Sequence, residues 1–226
     1  MDADARGVST FRRLGSFFLL SLALGVAPGP DIIFVLTQSL AHGARAGALV
    51  TLGLCTGLCF HVSLAAFGVA EILRRVPRAF SAVTWFGAAY LAYLAWLTWR
   101  GASAAGGPGL SGAETLTPLA LYFRGVVMNA CNPKVMLFFL ALMPRFIVVE
   151  KGHVAGQFLL LGAVFALSTL LVFNAVALAG GAVSAWFADS PRAYANLQYA
   201  SAVVMLALAA WIAFENVKGM KNGKAK

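Results

Sequence analysis

Long apolar runs, each about 20 residues in length, follow one another along most of this 226-residue chain. Hydrophobic residues make up 61% of the sequence and charged residues only 11%. An ordinary soluble domain has roughly 45–50% apolar and about 25% charged residues. A soluble globule of this size leaves much of its surface exposed, so it cannot bury so much apolar area. The chain is therefore predicted to be an integral membrane protein whose solvent is the lipid bilayer.

With about 20 residues for each crossing, the apolar runs predict an all-α integral membrane protein with six transmembrane helices. A Gly/Ser-rich linker, about residues 100–118, divides the chain into two sets of three spans. Repeat one covers about residues 14–99, repeat two covers about 119–215, and a basic tail follows at 216–226. The whole chain, residues 1–226, forms one membrane domain in this interpretation. The six predicted spans are residues 14–38, 47–70, 80–99, 119–142, 154–178 and 197–215.

The first apolar run has one alternative interpretation, a cleaved signal peptide. Three arginines within residues 6–13 precede it, as they would in such a peptide. A cleavage site would fall near Ala27, but the apolar residues continue to Leu36. From Leu14 to Leu36, a helix that rises about 1.5 Å per residue is long enough to cross the bilayer. We therefore expect a retained helix.

The 17 Lys and Arg residues are distributed unevenly between the two sides of this topology. Twelve lie in the N-terminal tail, the loops after spans two and four, and the C-terminal tail. Four lie on the other side, and Lys134 lies within span four. Because basic residues accumulate in cytoplasmic loops, both termini are predicted to be cytoplasmic. The same rule accounts for the net charge of +9 without a nucleic acid as partner.

The stretch VAPGPDIIF, residues 26–34, interrupts the first apolar run. Pro28 and Pro30 have no backbone N–H. The carbonyls four residues earlier, on Leu24 and Val26, therefore lose their helical partners. In lipid such a break survives only where protein or a water-filled cavity satisfies the freed groups. The break is thus predicted to lie inside the bundle at a functional site, with a simple packing kink as the alternative.

Two residues inside this break, Gly29 and Asp31, bear on its role. Gly29 lies between the two prolines and lets the backbone deviate at little cost. A charged side chain at membrane depth costs about 2.5–3.5 kcal/mol on insertion scales. Asp31 is therefore expected to face the bundle interior, to pair with a polar group or to carry a proton. The alternative is a hydrated position near the lipid headgroups.

A second break lies in the stretch RGVVMNACNPKVMLFFLALMPRF, residues 124–146. Here Pro133 frees the carbonyl of Asn129. Asn132 and Lys134 flank the proline on either side. The sequence thus predicts a second interrupted helix, with polar residues at the interruption.

The two breaks occupy matching places in the two halves of the chain. An offset of 103 residues superimposes Pro30 on Pro133. The same offset pairs Asp31 with Lys134. Because each half has an odd number of spans, the halves would have opposite orientations, and inverted repeats with matching broken helices are typical of secondary transporters. Half-helix N-termini attract anions and freed carbonyls attract cations, so we expect a translocation site suited to a zwitterion.

Other polar and small residues within the spans are weaker candidates. Gln38 and Asn174 are candidates for the lining of a pathway or for hydrogen bonds between helices. Gly53 and Gly57 in span two favour close packing of helices.

No metal site, cofactor or catalytic residue is expected. Cys55 and Cys59 lie four residues apart on one helical face, and His61 points to a different side. Cys131 lies in another segment, so no zinc spacing appears. The cysteines are interpreted as small packing residues, and the histidines are not interpreted as a site.

Four segments of the sequence together resemble the LysE/RhtB family of bacterial amino-acid exporters. They are PGPD at 28–31, HGARAG at 42–47, GAAYLAYLAW at 87–96 and NACNPKVMLFFLALMPRF at 129–146. The resemblance implies export of amino acids or close derivatives across the bacterial inner membrane, driven by a proton gradient or the membrane potential. It does not fix the substrate, because members handle basic, neutral and hydroxylated amino acids. The characteristic elements of the family carry over onto Pro28, Gly29, Pro30, Asp31, Asn132, Pro133 and Lys134.

The mechanistic hypothesis is that Asp31 and Lys134 face one central cavity. Asp31 would attract the substrate ammonium or exchange a proton, and Lys134 or a half-helix N-terminus would meet the carboxylate. Rival interpretations are an efflux transporter for another small solute or a metal cation, an intramembrane enzyme, and a structural membrane protein. The oligomeric state, including a homo-oligomer, stays open.

Overall fold

The computed structural model describes residues 2–27, 29–69, 77–104, 115–180, 182 and 190–223. Every regular element in these residues is helical. The helices are α1 (Asp2–Val26), α2 (Pro30–His42), α3 (Ala44–Ser63), α4 (Pro77–Ala104), α5 (Pro118–Ala130), α6 (Pro133–Leu137), α7 (Val154–Leu178) and α8 (Pro191–Gly223). Shorter turns complete the described elements: the π-helical turns Leu64–Val69 and Phe138–Leu142, and the 3₁₀ turns Met143–Phe146 and Val149–Lys151.

Three helical segments are long and apolar enough to cross a membrane as single helices: Ala44–Gly68, Val154–Leu178 and Arg192–Lys218. They coincide with the predicted second, fifth and sixth spans. The predicted third span falls within α4, whose described residues are not among these candidates.

Two further candidate spans are bent pairs of helices. Phe11–Val26 and Pro30–His42 meet at an angle of 62°, and Pro118–Ala130 and Pro133–Phe146 meet at 44°. The described residues thus contain three candidate spans, or up to five if each bent pair is one span. The prediction of an all-α membrane protein is confirmed, and both predicted interruptions occur where the prolines lie.

The second halves of both bent pairs begin at a proline. Pro30 is the first residue of α2, and Pro133 is the first residue of α6. The first position of a helix tolerates proline because its N–H would have no helical partner there. The side chain of Asn132 caps α6 by accepting a hydrogen bond from the backbone N–H of Lys134 at 3.0 Å. The local sequence therefore ends one helix and starts the next at each break.

Helices α3 and α5 cross at close range through glycines. A Cβ atom on Gly53 would overlap the backbone carbonyl of Tyr122, and one on Gly57 would overlap the carbonyl of Val126. On the facing helix, a Cβ on Gly125 would lie 2.5 Å from the carbonyl oxygen of Val50. The prediction that the span-two glycines serve helix packing is confirmed.

A buried aromatic cluster holds the segment after the second break. The ring of Phe138 lies 5.9 Å from that of Phe17 in α1 and 5.0 Å from that of Phe165 in α7, measured between centroids. Phe17 and Phe138 are fully buried. The segment is thus fixed against both α1 and α7, which brings the second break beside the first.

The α3–α5 crossing generates a prediction about stability. Gly53→Ala puts a methyl group against the Tyr122 carbonyl, so we expect it to destabilise the fold by about 1–3 kcal/mol. Thermal unfolding of the purified protein in detergent should show a lower midpoint. The matched control is Gly15→Ala, because a Cβ at Gly15 meets nothing within 4 Å. Equal midpoints for the two variants would contradict the close crossing.

Candidate functional site

Asp31 is buried where the two breaks meet. Its side chain is 7% exposed. The carboxylate oxygen Oδ2 accepts a hydrogen bond from Nδ2 of Asn132 at 2.8 Å and a longer one from Nδ2 of Asn129 at 3.5 Å. Both amides belong to the second break, so the carboxylate of one half of the chain is held by the other half. The structure agrees with the expectation that Asp31 faces the interior and has polar partners; a role in transport stays a prediction.

Lys134, at the second break, reaches back to the first. Its ammonium nitrogen Nζ donates hydrogen bonds to the carbonyl oxygens of Leu24 at 3.3 Å and Ala27 at 3.2 Å. Leu24 is one of the two residues whose carbonyls were predicted to be freed, whereas the second carbonyl that Lys134 contacts is on Ala27 rather than Val26. A cation from the second break therefore satisfies carbonyls at the first break, in the way that membrane burial requires.

His61 satisfies the carbonyl that Pro133 frees. Nε2 of His61 lies 2.8 Å from the backbone oxygen of Asn129, which also accepts from the N–H of Asn132 at 2.9 Å. Because a carbonyl only accepts hydrogen bonds, Nε2 carries the proton. His61 is 1% exposed, and its Nδ1 has no hydrogen-bond partner within the described part of the chain.

Sequence reasoning assigned no site role to His61. Two features of the sequence could have suggested it. One is a carbonyl that a proline frees at membrane depth, and the other is a histidine inside a predicted span that could donate to it. Whether the histidine reaches that carbonyl depends on the α3–α5 crossing, which the sequence does not specify.

A cavity of about 30 Å³ lies between the two breaks and α7. This volume accommodates about two water molecules. It brings together Gly29, Asp31, Asn129, Asn132 and Lys134 among the predicted site residues. The remaining lining residues are Leu24, Gly25, Ala27, Ile32, Val135, Phe165, Thr169 and Phe173.

Two acceptors at this cavity have no partner among the described residues, Oδ1 of Asp31 and Oδ1 of Asn129. Buried polar atoms in native proteins are nearly always hydrogen-bonded. Leaving one unpaired costs about 1–3 kcal/mol, and more for a charged group. Both oxygens are enclosed in this structure, so a ligand with hydrogen-bond donors, such as an ammonium group, would reach them only after the surrounding side chains move.

A comparison with known protein families identifies the kind of protein that contains this cavity. The model of the LysE type translocator family matches residues 22–216, which include every residue of the cavity lining. The chain belongs to the LysE family. It is therefore a membrane transporter rather than an enzyme, and the resemblance seen in the four sequence segments is confirmed.

Individual relatives agree with the LysE assignment. A homoserine/homoserine lactone efflux protein of Salmonella typhi is 33% identical over 177 residues, which are 78% of this chain and 84% of the relative. A leucine efflux protein of Salmonella choleraesuis is 29% identical over 172 residues, 76% of this chain and 78% of the relative. An uncharacterized membrane protein of Vibrio cholerae is 30% identical over 165 residues, 73% of this chain and 79% of the relative. No solved structure matches the chain.

The other predicted residues of this LysE family member lie elsewhere. Pro30 and Pro133 start helices α2 and α6 and are not part of the cavity lining, and Pro28 lies outside the described residues. Gln38 is 2% exposed, and its Oε1 has no partner in the described ranges. Asn174 donates to the carbonyl of Leu170 in its own helix at 2.9 Å. Neither amide lines this cavity, so their part in a pathway stays a prediction.

The metal-cation alternative has no matching cluster in the described ranges: no group of three or more His, Cys, Asp and Glu side chains there could hold a metal ion. The free cysteines Cys55, Cys59 and Cys131 form no part of the cavity.

The contact between His61 and Asn129 predicts a stability effect. His61→Phe retains an aromatic ring but removes the donor to a buried carbonyl, so we expect a loss of about 1–3 kcal/mol. His61→Gln is the matched control, because its amide nitrogen reaches a position similar to that of Nε2 and can still donate. The midpoint of thermal unfolding in detergent should fall for His61→Phe and largely recover for His61→Gln. A midpoint for His61→Phe equal to that of the wild type would show that the hydrogen bond does not stabilise the break.

Proposed function

We propose that this LysE family member exports amino acids or close derivatives from the cytoplasm through the cavity between its two broken helices. The observation that carries the proposal is that Asp31 and Lys134 line one cavity, although they lie 103 residues apart in the sequence. A free amino acid carries an ammonium and a carboxylate group on the same α-carbon. The protein supplies one carboxylate and one ammonium, so each charge of the amino acid can meet one opposite charge.

Asp31 is the proposed partner of the substrate ammonium. Its Oδ2 is occupied by the amides of Asn132 and Asn129, whereas its Oδ1 has no partner in the described residues. Once the neighbouring side chains move apart, a substrate ammonium can bond to Oδ1 while Oδ2 keeps its existing hydrogen bonds. Charge-assisted hydrogen bonds of this kind are about twice as strong as neutral ones.

Lys134 is the proposed partner of the substrate carboxylate. Its ammonium now donates to the carbonyls of Leu24 and Ala27. A carboxylate attracts the ammonium more strongly than a neutral carbonyl does, because the hydrogen bond is charge-assisted on both sides. Substrate binding would then draw Lys134 away from the first break. That exchange links the occupancy of the cavity to the bend between α1 and α2, which is the kind of coupling that a transporter needs.

We extend the proposal to architecture and orientation. Six spans form two inverted three-helix repeats, with the bent pairs α1–α2 and α5–α6 in matching places and α4 as the third span. Rocking of one repeat against the other gives alternating access. The protein lies in the bacterial inner membrane with both termini in the cytoplasm, consistent with the distribution of Lys and Arg. A proton gradient or the membrane potential drives export, with the proton as the expected coupling ion and Asp31 as its carrier.

Transport by charge variants tests the site. We expect Asp31→Asn and Lys134→Gln each to lower amino-acid efflux from proteoliposomes by more than about tenfold, because each removes one side of a charge pair with the substrate. Labelled amino acids are loaded inside, and efflux is followed with and without an imposed proton gradient. Glu150→Gln and Lys218→Gln are matched controls, since both side chains are exposed and neither belongs to the cavity lining. An Asp31→Asn protein that exports at the wild-type rate over a range of pH would eliminate the proposed role of the aspartate.

Reporter fusions test the topology. Alkaline phosphatase fused after residue 108, within the linker, should be active, because the linker then lies on the periplasmic side. Green fluorescent protein fused after residue 226 should fluoresce, because it folds in the cytoplasm. Inactive phosphatase at residue 108 together with a fluorescent C-terminal fusion would mean an even number of crossings between the linker and the C-terminus. The two repeats would then not be inverted three-span units.

A further inference from the structure

We infer that a groove between α4 and α8 is a binding site for a phospholipid with an anionic head group. The groove has a volume of about 290 Å³ and shares no lining residue with the cavity between the two breaks. Seven residues line it: Ala92, Ala95, Trp96 and Trp99 of α4, and Ala202, Val203 and Leu206 of α8. The inference does not depend on which solute the protein exports.

Two contacts fix the position of the groove along the helix pair. Oγ of Ser81 lies 3.2 Å from Oδ1 of Asn216, and the rings of Trp99 and Tyr199 lie 4.7 Å apart between centroids. These contacts make α4 antiparallel to α8, which contains the candidate span Arg192–Lys218. The lining therefore lies alongside a membrane-crossing segment, toward the end at Trp99, and tryptophan is enriched where membrane proteins meet the lipid head groups.

The lining of the groove fits a linear acyl chain. Ala95 and Ala202 are buried at its base, whereas Trp96, Trp99 and Val203 are about half-exposed and form its walls. An apolar groove that stayed empty in a bilayer would forfeit dispersion contacts along its open side. Lipid chains are the apolar groups that surround a membrane protein, so one of them is the occupant that this lining fits.

Two arginines lie at the same end of the helix pair. The guanidinium carbon of Arg100 lies 4.9 Å from the centroid of the Trp96 ring, which lines the groove. Arg192 lies in the first turn of α8, the end of that helix that packs beside the C-terminal part of α4. They are the only charged side chains in the described residues 97–104 and 190–206. Because guanidinium groups form charge-assisted, bidentate hydrogen bonds with phosphate, this end favours a head group with a net negative charge.

The same charges disfavour a second copy of the chain as the occupant. Copies of a membrane protein share one orientation relative to the bilayer, so an interface centred on this groove would place Arg100 and Arg192 of both copies at the same depth. Like charges across an interface repel each other. The described residues 97–104 and 190–206 contain no carboxylate side chain that would offset this repulsion. A phospholipid brings the compensating negative charge with it.

Thermal unfolding in detergent with added lipid tests the site. At equal mole fraction, phosphatidylglycerol should raise the midpoint of the purified full-length protein by at least about 3 °C more than phosphatidylcholine does. Sodium phosphate should give no such rise. Equal effects of the two lipids would overturn the inference. A rise with sodium phosphate as large as that with phosphatidylglycerol would assign the arginines to a free anion, and the lipid site would be wrong.

Variants tie the effect to the groove. Arg100→Gln removes a charge and Val203→Trp fills the groove, so each should lose at least about half of the difference between the two lipids. Arg45→Gln is the matched control and should keep the difference, since Arg45 is exposed and lies on α3. A difference that survives both groove variants contradicts the inference. So does a wild-type oligomer that Val203→Trp dissociates, because the groove would then be a contact between copies.

A fluorescence measurement on the wild type covers the case in which a variant does not fold. The protein is placed in vesicles of phosphatidylcholine that contain a small fraction of lipid brominated on its acyl chains. Brominated phosphatidylglycerol should quench tryptophan fluorescence at least about twofold more than phosphatidylcholine brominated in the same way, because Trp96 and Trp99 line the groove. Equal quenching by the two lipids would refute the site.

Discussion

A carbonyl that loses its helical partner inside a membrane must find another donor, and this requirement organises the centre of the protein. Lipid provides no hydrogen bonds, so the donor has to come from the protein or from water in a cavity. The first break is satisfied by Lys134, which belongs to the second break. The second is satisfied by His61 of α3 and by the backbone of Asn132. Each break thus receives a donor from the other half of the chain, and neither half is self-sufficient.

The reciprocal contacts explain why charged side chains persist in so apolar a chain. The Asp31 carboxylate is stabilised by two amides from the second break, and the Lys134 ammonium by two carbonyls from the first. Each charge therefore has hydrogen-bond partners other than the opposite charge. The proposed function uses this arrangement, because two charges that neutralised each other directly would first have to separate before a substrate could bind between them.

The sequence predicted those structural features that a single residue determines locally. Pro30 and Pro133 predicted the positions of both breaks, and the burial of Asp31 followed from the cost of a charge at membrane depth. It was less informative where the consequence depends on which helices meet. The donor to the Asn129 carbonyl is His61, and the wall opposite the breaks contains Thr169; both facts follow from tertiary packing of α3 and α7.

The glycine crossing of α3 and α5 has a mechanical consequence. At Gly53, Gly57 and Gly125 the two backbones touch without intervening side chains. Such a contact fixes the separation of the helix axes, and two hydrogen bonds, from Tyr122 to Thr56 and from His61 to the Asn129 carbonyl, hold the same two helices together beside it. The crossing joins a helix of the first half to a helix of the second, one turn from His61 and the end of α5. It therefore ties the two halves of the chain together at a fixed distance beside the breaks.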